Sequence, residues 1–316
     1  MKQFSFIGII FILILTLVFL KLILFSTGNP DEEYAKLFKE NQHTYALNIP
    51  AELSFADEKV PLKIVDVRER MDRELLVNVY WQSQTLLLIK RAHRWFPVIE
   101  PILKKNNIPD DFKYLALAES GLVNAVSPAN AVGFWQFTEE TGKKYGLEIN
   151  DEVDERYSVE RSTEAACRFF SEACNQFGNW TLAAASYNMG TTGLLKQIEK
   201  QKIHSYYNLL LNEETFRYMF RILAIKEVMT HPIQYGFYFR MQDLYPPFEY
   251  TTVLVDSTVS DFADFSIQHR INYKTLKLLN SWLRQNYLTN NQRKQYSIKI
   301  MKQNIAVAEE ENDLLK

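Results

Sequence analysis

The sequence predicts a mainly α protein closed by a small β-α-α-β unit, and three observations predict it. Apolar residues recur at helical spacing from Val65 through Met71, Leu75, Val79, Leu86 and Leu87, the step of a helix that buries one face. Gly and Pro are scarce, ten of each in 316 residues, while 17 Tyr and 21 Phe are available to fill a helical interior or line a groove. Near the C-terminus the pattern changes: Tyr250-Thr-Thr-Val-Leu-Val255 is rich in β-branched residues and Tyr296-Ser-Ile-Lys-Ile300 alternates, as strands do.

The bulk numbers bound the rest. A hydrophobic content of 47% and a charged content of 23% are globular values and exclude a disordered chain. A net charge of −2 gives no case for nucleic acid or an anionic membrane surface as partner. No repeat of solenoid or propeller period is visible.

Taken in order, residues 4–20 carry no charge, and after Lys21 the apolar run resumes to Phe25. Spanning a bilayer takes about 20 apolar residues, whereas a signal-peptide core is about 7–15. No A-x-A-like cleavage site and no lipoprotein-type Cys follow. Residues 1–28 are therefore expected to be a signal anchor with the N-terminus inside and the rest exported. A signal peptide cut near Gly28 is the alternative. Residues 29–94 are expected to form a helical spacer and lead-in: polar at first, with Pro30, Asp31-Glu32-Glu33 and Pro50, then periodic from Val65. The pattern continues through Trp95, Phe96, Val98 and Ile99 toward Pro101, and a helical domain is expected over residues 95–235. Residues 248–303 should supply the β-α-α-β unit, with helices over 262–269 and 273–280, and 304–316 a solvated tail.

The two cysteines, Cys167 and Cys174, would stand roughly 10 Å apart along one helix, beyond the ~7 Å Cα separation a disulfide tolerates. None of the five His clusters with them, so no metal site is expected.

The stretch from Ile108 to Gly121 carries the chemistry. Pro109-Asp110-Asp111 is a helix start and Gly121 a helix stop. Ile108, Phe112 and Leu115 share one face; the next position on it is Glu119, followed by Leu122. Burial and the negative end of the helix dipole would both raise the pKa of this carboxyl, the condition for a general acid near neutral pH. A buried Glu paired with Arg217 or Arg221 satisfies the same pattern. Beyond it, Ser127-Pro-Ala-Asn-Ala-Val-Gly-Phe-Trp-Gln-Phe137 sets a single polar Gln136 among apolar residues. Gln136 could hydrogen-bond a sugar while Trp135 or Phe134 offers a ring face; a core Trp and a satisfied amide are the alternative. A run of small residues then ends in Ser186-Tyr187-Asn188-Met189-Gly190.

Glu119-Ser120, residues 127–137 and 186–190, in that order, resemble three motifs of the soluble-lytic-transglycosylase (SLT) domain. Glu214-Thr-Phe-Arg-Tyr218 followed by Ile222-Leu-Ala224 resembles a fourth, and Asp154-Glu-Arg156 and Ala165-Ala166 also fit. The likeness runs over residues 95–232 and is greatest to the D group of membrane-bound lytic murein transglycosylases. It implies a lysozyme-like helical domain whose one catalytic carboxylate is Glu119. Ser120 would position it or touch substrate. Gln136, Tyr187 and Asn188 would bind sugar hydroxyls and N-acetyl groups, and Tyr218 would orient Glu119. The implied substrate is the peptidoglycan glycan strand, cleaved without water to leave 1,6-anhydro ends, with no cofactor, by a protein of the cell envelope whose catalytic domain faces the periplasm. The unit at 248–303 resembles a LysM module. Ser186, Met189 and Met219-Phe220 depart from the usual motifs and bear on cleft shape, and Ser281 stands where LysM modules usually carry Pro. Two alternatives share these residues: a goose-type muramidase, which uses water, and a silent peptidoglycan-binding scaffold.

Overall fold

The computed structural model describes residues 15–16, 30–40 and 45–302. The anchor expected over residues 1–28 lies outside the described residues, Leu15 and Thr16 apart, and so does the tail expected over 304–316. Among the described residues no helix is long and apolar enough to cross a membrane. The chain divides into two compact units, residues 1–46 and 47–316. In the first, helix α1 (Pro30–Glu40) opens on Pro, with Asp31, Glu32 and Glu33 in its first turn and Lys39 in its last, the charge order that suits the helix dipole.

The second unit opens with a short antiparallel pair, β1 (Ser54–Phe55) and β2 (Glu58–Lys59). Phe55 is fully buried, and its ring meets that of Phe112 edge-on at 5.1 Å. Leu47, Ile49 and Leu53 pack against the same core. This part of the expected spacer is therefore a layer of the helical body.

Helices α2 (Val65–Tyr80) and α3 (Gln82–Lys105) follow, separated by Trp81 alone. The helix expected to run out near Pro101 continues to Lys105, and the boundary expected between residues 94 and 95 falls inside it. Each internal Pro removes a backbone donor and crowds the carbonyl four residues back. Pro97 and Pro101 both lie on the exposed side of the helix, while Ile99 and Leu103 are buried. Tertiary packing overrides the sequence signal.

Helix α4 (Phe112–Ser120) starts later than the sequence suggests. Residues 109–111 form a turn, with Phe112 N–H donating to Pro109 O and Lys113 N–H to Asp110 O, each at 3.1 Å. Asp111 is drawn into distant bonds instead: its carboxylate accepts from Ala56 N–H and Lys226 Nζ, both at 2.7 Å.

Helices α5 (Glu139–Lys144), α6 (Val159–Phe177), α7 (Trp180–Met189), α8 (Thr191–Gln201) and α9 (Glu213–Thr230) complete the body. Thr138, Ser158, Asn179 and Asn212 cap α5, α6, α7 and α9, each accepting from the N–H three residues on. Ala183, Ala184 and Ala185 are fully buried, which lets α7 lie close to α6 and α9. Cys167 and Cys174 are free thiols on α6, and burial pushes the Cys167 thiol up to about 12.

The C-terminal unit has the expected order: β3 (Tyr250–Val255), α10 (Phe262–Gln268), α11 (Tyr273–Leu279) and β4 (Tyr296–Met301). Its strands pair antiparallel, from Tyr250 opposite Met301 to Val255 opposite Tyr296. Phe262, Leu276, Leu288 and Ile298 form its core together with Val153, which belongs to the helical body.

Candidate active site

Helix α4 ends at Gly121, whose φ of 61° is left-handed and whose N–H donates to Leu117 O, a helix end that glycine makes without strain. Helix α3 closes on this end. A Cβ at Gly121 would stand 3.2 Å from Leu88 and 3.3 Å from Arg91, and Arg91 Nη1 donates to Gly121 O at 3.2 Å.

The ending leaves Glu119 in the last turn, on the face whose Ile108, Phe112 and Leu115 are buried. Glu119 keeps part of its surface in solvent. Its carboxyl accepts a hydrogen bond from the Tyr218 hydroxyl on α9. The protein packed around the carboxyl desolvates it and raises its pKa to about 7. The Tyr218 hydrogen bond and the Arg221 charge oppose that rise, and the Glu214 charge adds to it. Burial likewise lifts Tyr218 well above the usual phenol value, so its hydroxyl stays a donor. The ion-pair alternative for Glu119 is not what the structure shows. Arg217 pairs with the buried Glu74 at 2.7 Å, and among the described residues no ion pair reaches Glu119.

The segment 125–137 forms a wall beside this helix. Ser120 ties the two together: its hydroxyl donates to Phe134 O at 2.9 Å and accepts from Leu122 N–H at 3.1 Å. Gln136 sits at φ 49°, a left-handed conformation that costs a non-glycine residue about 1–3 kcal/mol. Its amide nitrogen donates to Gly133 O at 2.8 Å and Ala125 O at 3.2 Å. Its side-chain carbonyl has no hydrogen-bond partner among the described residues. Trp135 and Phe134 do not offer ring faces. Both are buried, and Trp135 Nε1 donates to Thr163 Oγ1 at 2.9 Å. The apolar period of the wall points these rings into the core.

Tyr187 and Asn188 come from the last turn of α7. The Tyr187 hydroxyl donates to Trp135 O at 2.5 Å. Burial raises its pKa well above the usual phenol value, and the charge of Glu119 adds to the rise. Asn188 Oδ1 accepts from Thr215 Oγ1 at 2.9 Å, and Nδ2 donates to Glu214 Oε1 at 3.4 Å. The structure thus gathers Glu119, Tyr187 and Tyr218 around one carboxyl. Ser120 joins helix to wall, Gln136 lies on the wall, and Asn188 lies on the Glu214 side. Sequence reasoning named Arg221 as an ion-pair alternative and missed Glu214 as an electrostatic neighbour. The signal was present: 214, 218 and 221 share one face of α9 at helical spacing. Among the described residues no cluster of three or more His, Cys, Asp or Glu could hold a metal ion.

A carboxyl with a pKa of about 7 is present in both protonation states at neutral pH, so it can give up a proton and recover one. Residues 96–210 match the family model described as the transglycosylase SLT domain, and residues 251–304 match the soluble lytic transglycosylase C-terminal LysM-like domain. The chain therefore carries an SLT domain and a LysM-like domain. Similar curated proteins are the membrane-bound lytic murein transglycosylases D of Escherichia coli strain K12 and of Escherichia coli O6:H1. Each is 32% identical over 176 residues, which cover 54% of this chain and 38% of the relative.

Proposed function

We propose that this protein is a peptidoglycan lytic transglycosylase with Glu119 as its one catalytic acid and base. The observation that carries the reading is Glu119 itself: a desolvated carboxyl on the SLT domain with a pKa of about 7, hydrogen-bonded to Tyr218. The protonated carboxyl donates to the glycosidic oxygen between N-acetylmuramic acid and N-acetylglucosamine, and the C1–O bond breaks. The substrate's N-acetyl group stabilises the cation-like centre. The carboxylate then takes the proton of the muramic acid C6 hydroxyl as that oxygen bonds to C1. The product is a 1,6-anhydro sugar, Glu119 is protonated again, and no water is consumed.

In this reading Tyr218 holds the carboxyl in place and Ser120 fixes the helix against the wall. The free carbonyl of Gln136, with Tyr187 and Asn188, supplies polar contacts to the sugars. In this reading the proton transfers run between Glu119 and groups of the substrate. Digesting purified peptidoglycan and weighing the fragments tests the proposal. Products lighter by one water than those of hydrolysis support it; hydrated products would make the protein a muramidase, and wall binding without cleavage a scaffold. We also propose that the catalytic domain works in the periplasm, tethered to a membrane by residues 1–28. The uncharged run 4–20 and the words "membrane-bound" in the relatives' names support this. Release of the protein from membranes by carbonate would count against the tether.

A further inference from the structure

The strip 148–160 fastens the C-terminal unit to the helical body. Val153 is 1% exposed and sits inside the core of the unit. Around it, Asp154 N–H donates to Trp282 O at 2.9 Å and Arg284 N–H donates to Glu152 O at 2.7 Å, an antiparallel bridge between Val153 and Leu283. Side chains reinforce it: Thr289 N–H donates to Glu152 at 2.6 Å, the Arg284 guanidinium lies 3.9 Å over the Tyr157 ring, and Lys299 pairs with Glu160.

The same strip holds the wall of the candidate site. The Asp154 carboxylate accepts from Arg156 Nε at 2.9 Å and from Nη2 at 2.7 Å, and both side chains are about nine-tenths buried. The remaining nitrogen, Arg156 Nη1, donates to Asn130 O at 3.2 Å and Phe137 O at 3.3 Å. These two carbonyls bracket the turn that carries Gln136. Gly133, whose carbonyl receives the Gln136 amide, lies flat on Arg156: a Cβ there would stand 2.1 Å from Arg156 O. A second, shorter tie runs from the unit to the loop after Glu119, where Asn124 Nδ2 donates to Ser281 Oγ at 2.8 Å.

We propose that the LysM-like unit positions the wall of the active site, acting on Gln136 through Trp282, Asp154 and Arg156. The chain of contacts is short and buried, and every link is a hydrogen bond to main chain or a two-pronged ion pair. A guanidinium gripped on two nitrogens by one carboxylate has a fixed plane, so the third nitrogen has a fixed direction. Moving Asp154 therefore moves the carbonyls of Asn130 and Phe137. Asp154 and Arg156 are positioning residues. The unit is a structural partner of the catalytic domain whether or not it also binds glycan, and the effect on turnover rests on the function proposed above.

Two variants of the full chain test this. Val153→Asp places a charge in the core of the unit and should undock it. Asp154→Asn leaves the docking bonds in place and removes the charge and one of the two prongs that grip Arg156. Hydrogen exchange should show the wall amides of Val132 and Gly133 exchanging at least ~tenfold faster in both variants. Amides of β4 should be affected only in Val153→Asp, and those of α9 in neither. On a soluble, uncrosslinked glycan strand, kcat should fall about tenfold in both, with KM little changed. Wall protection and kcat left unchanged in a visibly undocked Val153→Asp protein would overturn the proposal. So would an unaltered wall in Asp154→Asn, which decides the matter alone if Val153→Asp does not fold. If the wild type cleaves no glycan, the functional reading fails while the exchange results still decide the positioning.

Discussion

Replacing Glu119 with Gln should cut turnover sharply and make the protein more stable, and the gain in stability should grow with pH. The free carboxyl titrates near 4.5 and the folded one at about 7. Below pH 4.5 the group is protonated in folded and unfolded chains alike, and its ionisation contributes nothing. Between 4.5 and 7 the unfolded chain releases the proton while the folded chain holds it, so rising pH favours unfolding. Above 7 the folded protein carries the whole penalty, about 3 kcal/mol at 1.36 kcal/mol per pH unit. The Glu119→Gln variant would carry none of it, and its amide carbonyl could still accept the Tyr218 hydrogen bond. At roughly 2–4 °C per kcal/mol, the variant should melt about 6–12 °C above the wild type at pH 8, and the excess should shrink toward pH 4.5. The assay is thermal or urea unfolding of both proteins from about pH 4.5 to about 8.5, compared pairwise so that all other titrating groups cancel. A difference that stays flat across that range would refute the account of Glu119 as a desolvated carboxyl. Turnover should fall by a factor on the order of 10³.

The neighbours of Glu119 should tune the same titration. The alkaline limb of kcat/KM, set by loss of the Glu119 proton at about pH 7, should move to higher pH in Tyr218→Phe. That change removes a hydrogen bond favouring the ionised form. It should move to lower pH in Glu214→Gln, which removes a repelling charge; limbs that do not move in opposite directions contradict the assignment. Phe55→Ala should cost about 3–5 kcal/mol in urea unfolding, because Phe55 is fully buried against Phe112. A cost near zero would return residues 47–62 to the role of a loose spacer.

Glu119 was legible because its helix is short and strictly periodic. With Ile108, Phe112 and Leu115 on one face and Gly121 as the stop, a carboxyl at 119 had one place to go. The β-α-α-β unit was legible for a related reason: β-branched and alternating runs mark its strands, and its elements ended within a residue or two of expectation. What was not legible depended on partners far along the chain. Pro97 and Pro101 announce a break that buried Ile99 and Leu103 forbid. Asp110 and Asp111 look like first-turn acids of a helix, but Asp111 is engaged by Ala56 and Lys226. The wall Trp could have stacked on a sugar; the hydroxyl of Thr163, 28 residues away, holds it in the core. The destination of Arg217 was equally hidden, since the choice between Glu119 and Glu74 depends on how α2 lies along α9.

Holding this site in place costs the protein stability, and part of what offsets the cost comes from outside the stretch that matches the SLT model. A desolvated Glu119 and a left-handed Gln136 both oppose folding. Against them, the Glu58 carboxylate accepts from Trp180 N–H at 2.6 Å and Thr181 N–H at 2.9 Å, closing the start of the helix that ends in Tyr187 and Asn188. Glu74 fixes Arg217, the neighbour of Tyr218 on α9. Asp111 joins α4 to both the β1–β2 turn and α9. Tyr218, Glu214 and Arg221 themselves lie beyond residue 210, where the match ends. A fragment of residues 96–210 therefore lacks the partner of Glu119, the far ends of the Glu58 and Asp111 tethers, and the whole of the Glu74–Arg217 pair. It also begins in the middle of α3. Such a fragment should show no cooperative thermal transition and no near-ultraviolet signal from Trp135, whereas residues 47–302 should show both. Cooperative unfolding of the 96–210 fragment would mean that the SLT stretch is self-sufficient and that the lead-in and α9 are additions to it, not parts of the same fold.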